Sequence, residues 1–220
     1  MISGGRCRHA PKSSSATAYR KVFVSRVHQL LHLATFRVSL QAFKRYQETA
    51  ITGEIVRVMD EIIDDPGSPR WVRHFSVHDD PPVNVKGRLG RSRKRLDIRV
   101  VSAQRLPRSR FSFEAKRLGK DHPVADYLGA EGLGCFLSGD YAREEVDAGM
   151  LGYVQTESVD VWAQRVGDGI HAAASLQLIA GDRWKHRPLK GGPTHTFHTR
   201  HDRPAVGKRL DVYHTLLACC

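Results

Sequence analysis

The sequence predicts one α/β domain preceded by a short basic arm. Its 220 residues are enough for one full-sized domain with its own hydrophobic core. Helix-type and strand-type hydrophobic periodicities alternate along the chain, in the order helix, hairpin, helix, strand, helix. This order is typical of a mixed α/β core. No apolar run approaches the roughly 18 residues that a membrane-spanning helix needs, so we expect no transmembrane segment.

The positive charge is concentrated at the start of the chain. Residues 1–47 contain nine Lys or Arg and no acid, which leaves about +3 of the total +12 for the remaining 173 residues. We expect residues 1–18 to be a flexible basic arm, because they combine Gly4-Gly5 with a Pro- and Ser-rich stretch. Such a charge favours a polyanionic partner, and nucleic acid is the commonest one. An acid-free, Arg- and Ser-containing start is also typical of an organellar transit peptide, and this alternative stays open.

The first regular elements are predicted to be helical. One or two helices are expected over about 18–43, and a clearer helix over 48–64 ends before Pro66-Gly67. The apolar residues of that clearer helix fall within about 60° at 100° per residue, which makes one narrow stripe. They are Ile51, Ile55, Val58 and Ile62. Residues 65–95 mix Pro, Gly and charge, so they are predicted to be loop with one short strand near 71–77.

Two strands and a hairpin connection follow. Residues 96–101 and 111–116 alternate apolar and other side chains, and residues 106–109 connect them. A helical stretch is expected after Asp121, short strands at 136–137 and 152–154, and a helix over 158–178. A Thr- and His-rich, strand-like stretch extends to residue 217. Its His195 and His198 would face opposite sides of a strand and no carboxylate lies at ligand spacing, so zinc is not expected there.

The two predicted strands carry the residues with the clearest chemistry. Asp97 lies in the first strand, and Glu114 and Lys116 lie in the second. Magnesium takes one or two protein carboxylates, and waters and substrate oxygens complete its octahedron. Asp97 and Glu114 can therefore share one ion if the strands are neighbours. Lys116 falls on the same face as Glu114, where it can orient an attacking water or stabilise a pentavalent phosphate.

This pattern resembles the core of the PD-(D/E)xK, or restriction-endonuclease-like, superfamily. Its members carry the Asp at the start of the second core strand and the E-x-K in the third, which Asp97 and Glu114-Ala115-Lys116 match. Leu96 stands where the nominal motif has proline. The resemblance covers about residues 48–155. It implies a restriction-endonuclease-like core, with a central mixed β-sheet flanked by helices, in a single nuclease domain over residues 19–220.

The resemblance also implies an activity and a set of ligands. We expect a Mg²⁺- or Mn²⁺-dependent endonuclease that cuts phosphodiester bonds, in DNA rather than RNA, with Asp97 and Glu114 as metal ligands. The family often adds a glutamate from the preceding helix, and Glu54 is assigned this role because it lies about 60° from the apolar stripe. Glu61 and Glu48 are the alternates. Compact nucleases of this kind are often subunits of restriction, repair or phage-defence systems, so partner subunits or a homodimer are expected.

Basic residues surround the motif. Residues 86–110 contain ten Lys or Arg and one acid, Asp97. Placed beside a metal site, such residues can bind the phosphates on either side of the scissile one. The candidates are Arg88, Arg91, Arg93, Lys94, Arg95, Arg99 and Arg117. An ordinary charged loop is the simpler alternative for some of them.

Three other interpretations stay open. Glu114 and Lys116 are compatible with the solvated face of an edge strand. The chain is also compatible with a nucleic-acid-binding or scaffold subunit that keeps the nuclease fold without cleavage, or with an imported or ribosome-associated basic protein.

Four cysteines without C-x-x-C spacing and without a secretory signal before them favour a reducing cytoplasm.

Overall fold

A computed structural model describes residues 13–83 and 94–220. Within these residues the chain forms five α-helices and seven β-strands, with short 3₁₀ turns at Leu40–Phe43, Arg70–His74 and Ala174–Leu176. The helices are α1 (Ser13–Arg37), α2 (Glu48–Asp64), α3 (Val124–Leu128), α4 (Leu133–Leu137) and α5 (Val159–Ala172). The strands are β1 (Phe75–Asp79), β2 (Ile98–Ser102), β3 (Ser109–Leu118), β4 (Asp147–Val154), β5 (Lys185–His186), β6 (Thr196–His201) and β7 (Leu210–Ala218). None of the helices in the described residues is long and apolar enough to cross a membrane.

All seven strands form one mixed sheet, in the order β1-β2-β3-β4-β7-β6-β5. The central strands β3, β4 and β7 are parallel to one another. The outer pairs β1–β2, β2–β3, β5–β6 and β6–β7 are antiparallel. Parallel strands need covering on both faces, and helices supply that cover here.

Each face of the sheet has its own apolar core. On one face α1 and α2 pack on Phe111, Phe113 and Leu151, and their own buried residues include Leu30 and Ile55. On the other face α3, α4 and α5 pack on strand residues that include Met150 and Leu216. Side chains alternate along β3, so Glu114 and Lys116 point to the face opposite Phe113. The α/β class and the mixed sheet flanked by helices are confirmed.

Some predicted boundaries are confirmed and others are wrong. The predicted helix over residues 48–64 coincides with α2, and the two predicted strands form the β2–β3 hairpin. The predicted flexible arm over residues 1–18 is too long, because α1 begins at Ser13. The helix includes residues 13–18, since it continues into Tyr19 and Phe23, which pack against the core. Residues 1–12 lie outside the described residues.

Three short elements differ from the prediction. Phe136 and Leu137 belong to α4 rather than to a strand, because a short apolar run does not distinguish a buried helix from a strand. The strand near residues 71–77 begins only at Phe75, after the 3₁₀ turn. The helix predicted over 158–178 ends at Ala172, and Gln177 takes a left-handed conformation with φ 53°.

Candidate active site

The candidate site lies where β2 stops pairing with β3. This pairing ends at Phe113, although β3 continues for five further residues. Beyond that point carboxylates accept the hydrogen bonds of β3: Ala115 N donates to Asp97 Oδ2 at 2.6 Å, and Arg117 N donates to Glu48 Oε2 at 3.1 Å. Alternate amides of a strand point to the same side. The two carboxylates therefore occupy the gap that β2 leaves beside β3.

Lys116 joins two of the acidic side chains. Its Nζ donates to Glu114 Oε1 at 2.9 Å and to Glu48 Oε1 at 3.2 Å. The side chain of Glu114 is only 7% exposed. Its second oxygen, Oε2, is buried and accepts no hydrogen bond from an N–H or hydroxyl group of the described residues, and the Asp97 and Glu114 carboxyls are close enough to share a proton. A buried carboxylate oxygen without a donor is unfavourable, so Oε2 is suited to accept a cation or a proton.

The charges at this site depart from their ordinary behaviour. The pKa of Glu114 is raised to about 8, first by burial and then by the neighbouring charge of Asp97. Burial also raises the pKa of Asp97 to about 6, although its hydrogen bond from Ala115 opposes the rise. Burial lowers the pKa of Lys116, but the charges of Glu114, Glu48 and Asp97 outweigh it and the net shift is upward. Raised carboxyl pKa values mean that Asp97 and Glu114 favour a positive charge beside their oxygens, which a proton or a metal cation can supply.

The donor set fits a magnesium-type ion. Within the described part of the chain, no three His, Cys, Asp or Glu side chains are grouped as a ready metal site. Magnesium does not require three, since it binds through one or two carboxylates and keeps several waters. Asp97 and Glu114 supply two hard oxygen ligands, and one oxygen of Glu114 is unbonded within the described residues. The chemistry of these residues is therefore compatible with the predicted ligands.

Glu54 does not join this cluster. Its carboxylate binds Arg57 at 2.6 and 2.8 Å, and Arg57 also pairs with Glu61 on the exposed side of α2. The helix glutamate at the site is Glu48, which was an alternate in the prediction. Glu54 lies six residues further along, about 9 Å up the helix axis and about 240° around it. The first turn of α2 carries Glu48 to Lys116 and to Arg117 N, so the structure brings Glu48 to the cluster and leaves Glu54 outside it.

The predicted phosphate-binding residues have different surroundings. Lys94 pairs with Asp140 at 2.7 Å, and Arg95 pairs with Asp80, so both charges are already matched. Arg99 is half-buried, its Nε meets no acceptor among the described residues, and burial lowers its pKa. Arg117 lies on β3 directly after Lys116. Arg88, Arg91 and Arg93 lie outside the described residues.

A buried glutamine fixes the chain just before α2. Gln155 follows β4, and its Nε2 donates to Phe43 O at 3.0 Å and to Tyr46 O at 2.9 Å. Its own amide donates to Leu118 O at 2.8 Å, which ties it to the end of β3. The start of α2, and with it Glu48, is thus held against the sheet. Sequence reasoning missed Gln155, because no local motif marks a contact across more than 100 residues.

The His-rich tail forms an internal hydrogen-bond chain. Leu176 O can only accept, so His201 Nδ1 donates to it at 2.7 Å, and Thr199 Oγ1 donates to His201 Nε2 at 2.8 Å. Thr199 then accepts from His214 Nε2 at 2.8 Å, and Tyr127 donates to His214 Nδ1 at 3.1 Å. Burial lowers the pKa of both histidines, which keeps them neutral. These hydrogen bonds stabilise the face of the sheet that α3, α4 and α5 cover.

Comparison with protein-family models, with curated proteins and with solved structures found no match for this chain. The likeness to the PD-(D/E)xK superfamily therefore rests on the motif residues and on their placement in the sheet.

Proposed function

We propose that this chain is a metal-dependent endonuclease that hydrolyses phosphodiester bonds, with Mg²⁺ or Mn²⁺ as cofactor and DNA as the favoured substrate. The observation that carries the proposal is the cluster of Asp97, Glu114 and Glu48 around Lys116, with one buried carboxylate oxygen unbonded within the described residues. Asp97 directly precedes the second strand, and Glu114 and Lys116 lie in the third. This placement agrees with the one that the resemblance implies. The net charge of +12 supports a polyanionic substrate.

Each side chain has a distinct part in this proposal. Asp97 and Glu114 would hold a divalent cation, which would neutralise charge at the phosphate and lower the pKa of the attacking water. Lys116 stays protonated because its pKa is raised, so it donates hydrogen bonds and does not act as a general base. Its ammonium is suited to stabilise the charge that builds on the phosphate oxygens. Glu48 holds Lys116 in position through its own hydrogen bond.

A second candidate is a nucleic-acid-binding subunit that does not cleave. One observation favours it: the hydrogen bonds of Lys116 to Glu114 and Glu48 partly satisfy these groups without any metal. Both candidates predict DNA binding, and only the first predicts cleavage that EDTA abolishes.

Cleavage of a plasmid and of single-stranded circular DNA, with Mg²⁺, with Mn²⁺ and with EDTA, tests the proposal. Lys116→Ala should lower the cleavage rate by about 100- to 1,000-fold, the usual effect of removing one preorganised donor, and should leave DNA affinity in EDTA within about two-fold. Lys21→Ala removes the same charge from an exposed position on α1 and serves as the matched control. A Lys116→Ala variant that cuts as fast as wild type contradicts the assigned role. A wild-type protein that binds DNA and cuts with neither metal supports the non-cleaving subunit.

A further inference from the structure

An exposed aromatic ring lies next to the candidate active site. Tyr46 is 53% exposed and precedes Glu48 by two residues, so their Cα atoms are at most about 7 Å apart. Glu48 in turn binds Lys116. Isolated exposed apolar residues are common on protein surfaces, so exposure alone shows little. The surroundings of Tyr46 are more informative.

The turn that carries Tyr46 is held in place. Tyr46 N donates to Phe43 O at 3.0 Å, which closes the turn. Gln155 Nε2 binds the carbonyl oxygens of both residues, and Gln155 itself is buried. The ring of Phe43 contacts the ring of Tyr46 edge-on, with 5.0 Å between the ring centroids. A ring fixed in this way loses little conformational entropy when a flat ligand binds to it.

The same turn presents two cations. Lys44 and Arg45 lie between Phe43 and Tyr46, and both are exposed. Neither forms an ion pair with any residue that the structure describes, in contrast to Lys94 and Arg95. The nearest acid in sequence is Glu48, whose oxygens already accept from Lys116 and from the amide of Arg117. An aromatic ring with flanking unpaired cations is the usual combination for binding single-stranded nucleic acid.

We propose that the turn Phe43–Tyr46 binds an unpaired nucleotide adjacent to the scissile phosphate. The ring of Tyr46 stacks on the base, and Lys44 and Arg45 contact the neighbouring phosphates. The faces of bases within a duplex are covered by their neighbours, so this contact requires a single strand, a flap or a flipped base. The inference rests on the proposed function and narrows its substrate to nucleic acid with an unpaired nucleotide at the cut.

Binding of a fluorescently labelled single-stranded oligonucleotide in EDTA tests the stacking contact. Tyr46→Ala should weaken binding between about 5-fold and about 150-fold, the range for losing one stacked base. Tyr46→Phe should bind as wild type. An abasic oligonucleotide with the same number of phosphates should bind wild type and Tyr46→Ala within about two-fold of each other. Phe36→Ala is the matched control, since Phe36 is an aromatic residue 84% exposed on α1.

The phosphate contacts have a separate readout. Each neutralised phosphate of a single strand contributes about 0.7 to the slope of log affinity against log salt, so the double variant Lys44→Ala/Arg45→Ala should lose about 1.4. An unchanged slope overturns the assignment of these two cations.

The outcomes separate this inference from the nuclease proposal, because binding is measured without metal. The stacking contact is overturned if wild type and Tyr46→Ala bind the base-bearing oligonucleotide with equal affinity. It is also overturned if Tyr46→Ala loses as much affinity for the abasic oligonucleotide as for the base-bearing one. If Tyr46→Ala binds the oligonucleotide more weakly but the wild-type protein never cuts with Mg²⁺, the stacking contact is supported and the nuclease proposal is refuted. If the wild-type protein cuts and Tyr46→Ala binds and cuts equally well, the nuclease proposal is supported and the stacking contact is refuted.

Discussion

Glu48 and Glu54 provide a matched pair of substitutions on one helix. Glu48→Gln keeps the shape of the side chain and an oxygen that can accept from Arg117 N, but it removes the negative charge next to Lys116. Glu54→Gln removes the same charge six residues further along α2, where the carboxylate binds only Arg57 among the described residues. The two variants change the total charge of the protein equally. Any difference between them therefore reports on position.

The expected magnitudes follow from the contacts. Lys116 keeps its hydrogen bond to Glu114 in the Glu48→Gln variant, and the lost ion pair is partly exposed, so the free energy of unfolding should fall by no more than about 1 kcal/mol. Substitution of a residue that supports a metal site from behind its ligands typically changes the metal affinity by about 10- to 100-fold, and Glu48 supports the ligand Glu114 through Lys116. The Mg²⁺ concentration for half-maximal cleavage should therefore rise by about that factor in Glu48→Gln, and by less than about two-fold in Glu54→Gln.

The assay is the initial rate of cleavage of single-stranded circular DNA across a Mg²⁺ titration, with urea unfolding of each variant as the check on folding. A half-saturating Mg²⁺ concentration that is unchanged in Glu48→Gln would refute the reasoning. An equal rise in both variants would show that total charge, rather than the position of Glu48, sets the affinity for the metal.

Two further predictions concern the core behind the site, and urea unfolding measures both. A Cβ on Gly149 would lie 2.2 Å from Cδ1 of the buried Phe113, so Gly149→Ala should destabilise the protein by about 1–3 kcal/mol. A Cβ on Gly53 in α2 would meet nothing nearer than 3.9 Å, so Gly53→Ala should stabilise the protein by up to about 1 kcal/mol. Equal effects of the two substitutions would contradict this packing. Burial lowers the pKa of His28 to about 4, below its ordinary value near 6.5, so the unfolded chain takes up a proton that the folded chain does not. The contribution of His28 to stability is therefore constant above about pH 6.5 and is lost as the pH falls toward 4. At pH 5 this loss amounts to about 2 kcal/mol of the free energy of unfolding. Between pH 7.5 and pH 5, the free energy of unfolding of His28→Leu should therefore fall by about 2 kcal/mol less than that of wild type.

Local patterns predicted the elements that carry the site. The apolar stripe of α2 and the alternation along β2 and β3 are strong signals within single segments, and the bounds of α2 agree with the prediction. The alternation also placed Glu114 and Lys116 on one face of β3. Asp97 could be added because a hairpin brings consecutive strands together.

Long-range packing decided what the sequence could not predict. Helical periodicity orients Glu54 relative to the apolar stripe, but it does not tell which turn of α2 lies at the end of β3, and that turn carries Glu48. The pairing of Lys94 with Asp140 depends on residues 46 positions apart. The turn at Tyr46 is fixed by Gln155, which lies 109 residues later in the sequence. Neither the rigidity of this turn nor its nearness to Lys116 therefore follows from a local pattern.

The departure of β2 from β3 has a consequence for the behaviour of the molecule in solution. Past Phe113, the side of β3 that faced β2 would present bare amide groups, and an open strand edge of this kind invites pairing with a strand of another molecule. Asp97 and Glu48 accept the hydrogen bonds of two of these amides and surround them with negative charge. The carboxylates of Asp97 and Glu48 therefore shield this strand edge from pairing with another molecule. Apolar replacements of both would expose a template for aggregation, whereas the isosteric amides would not.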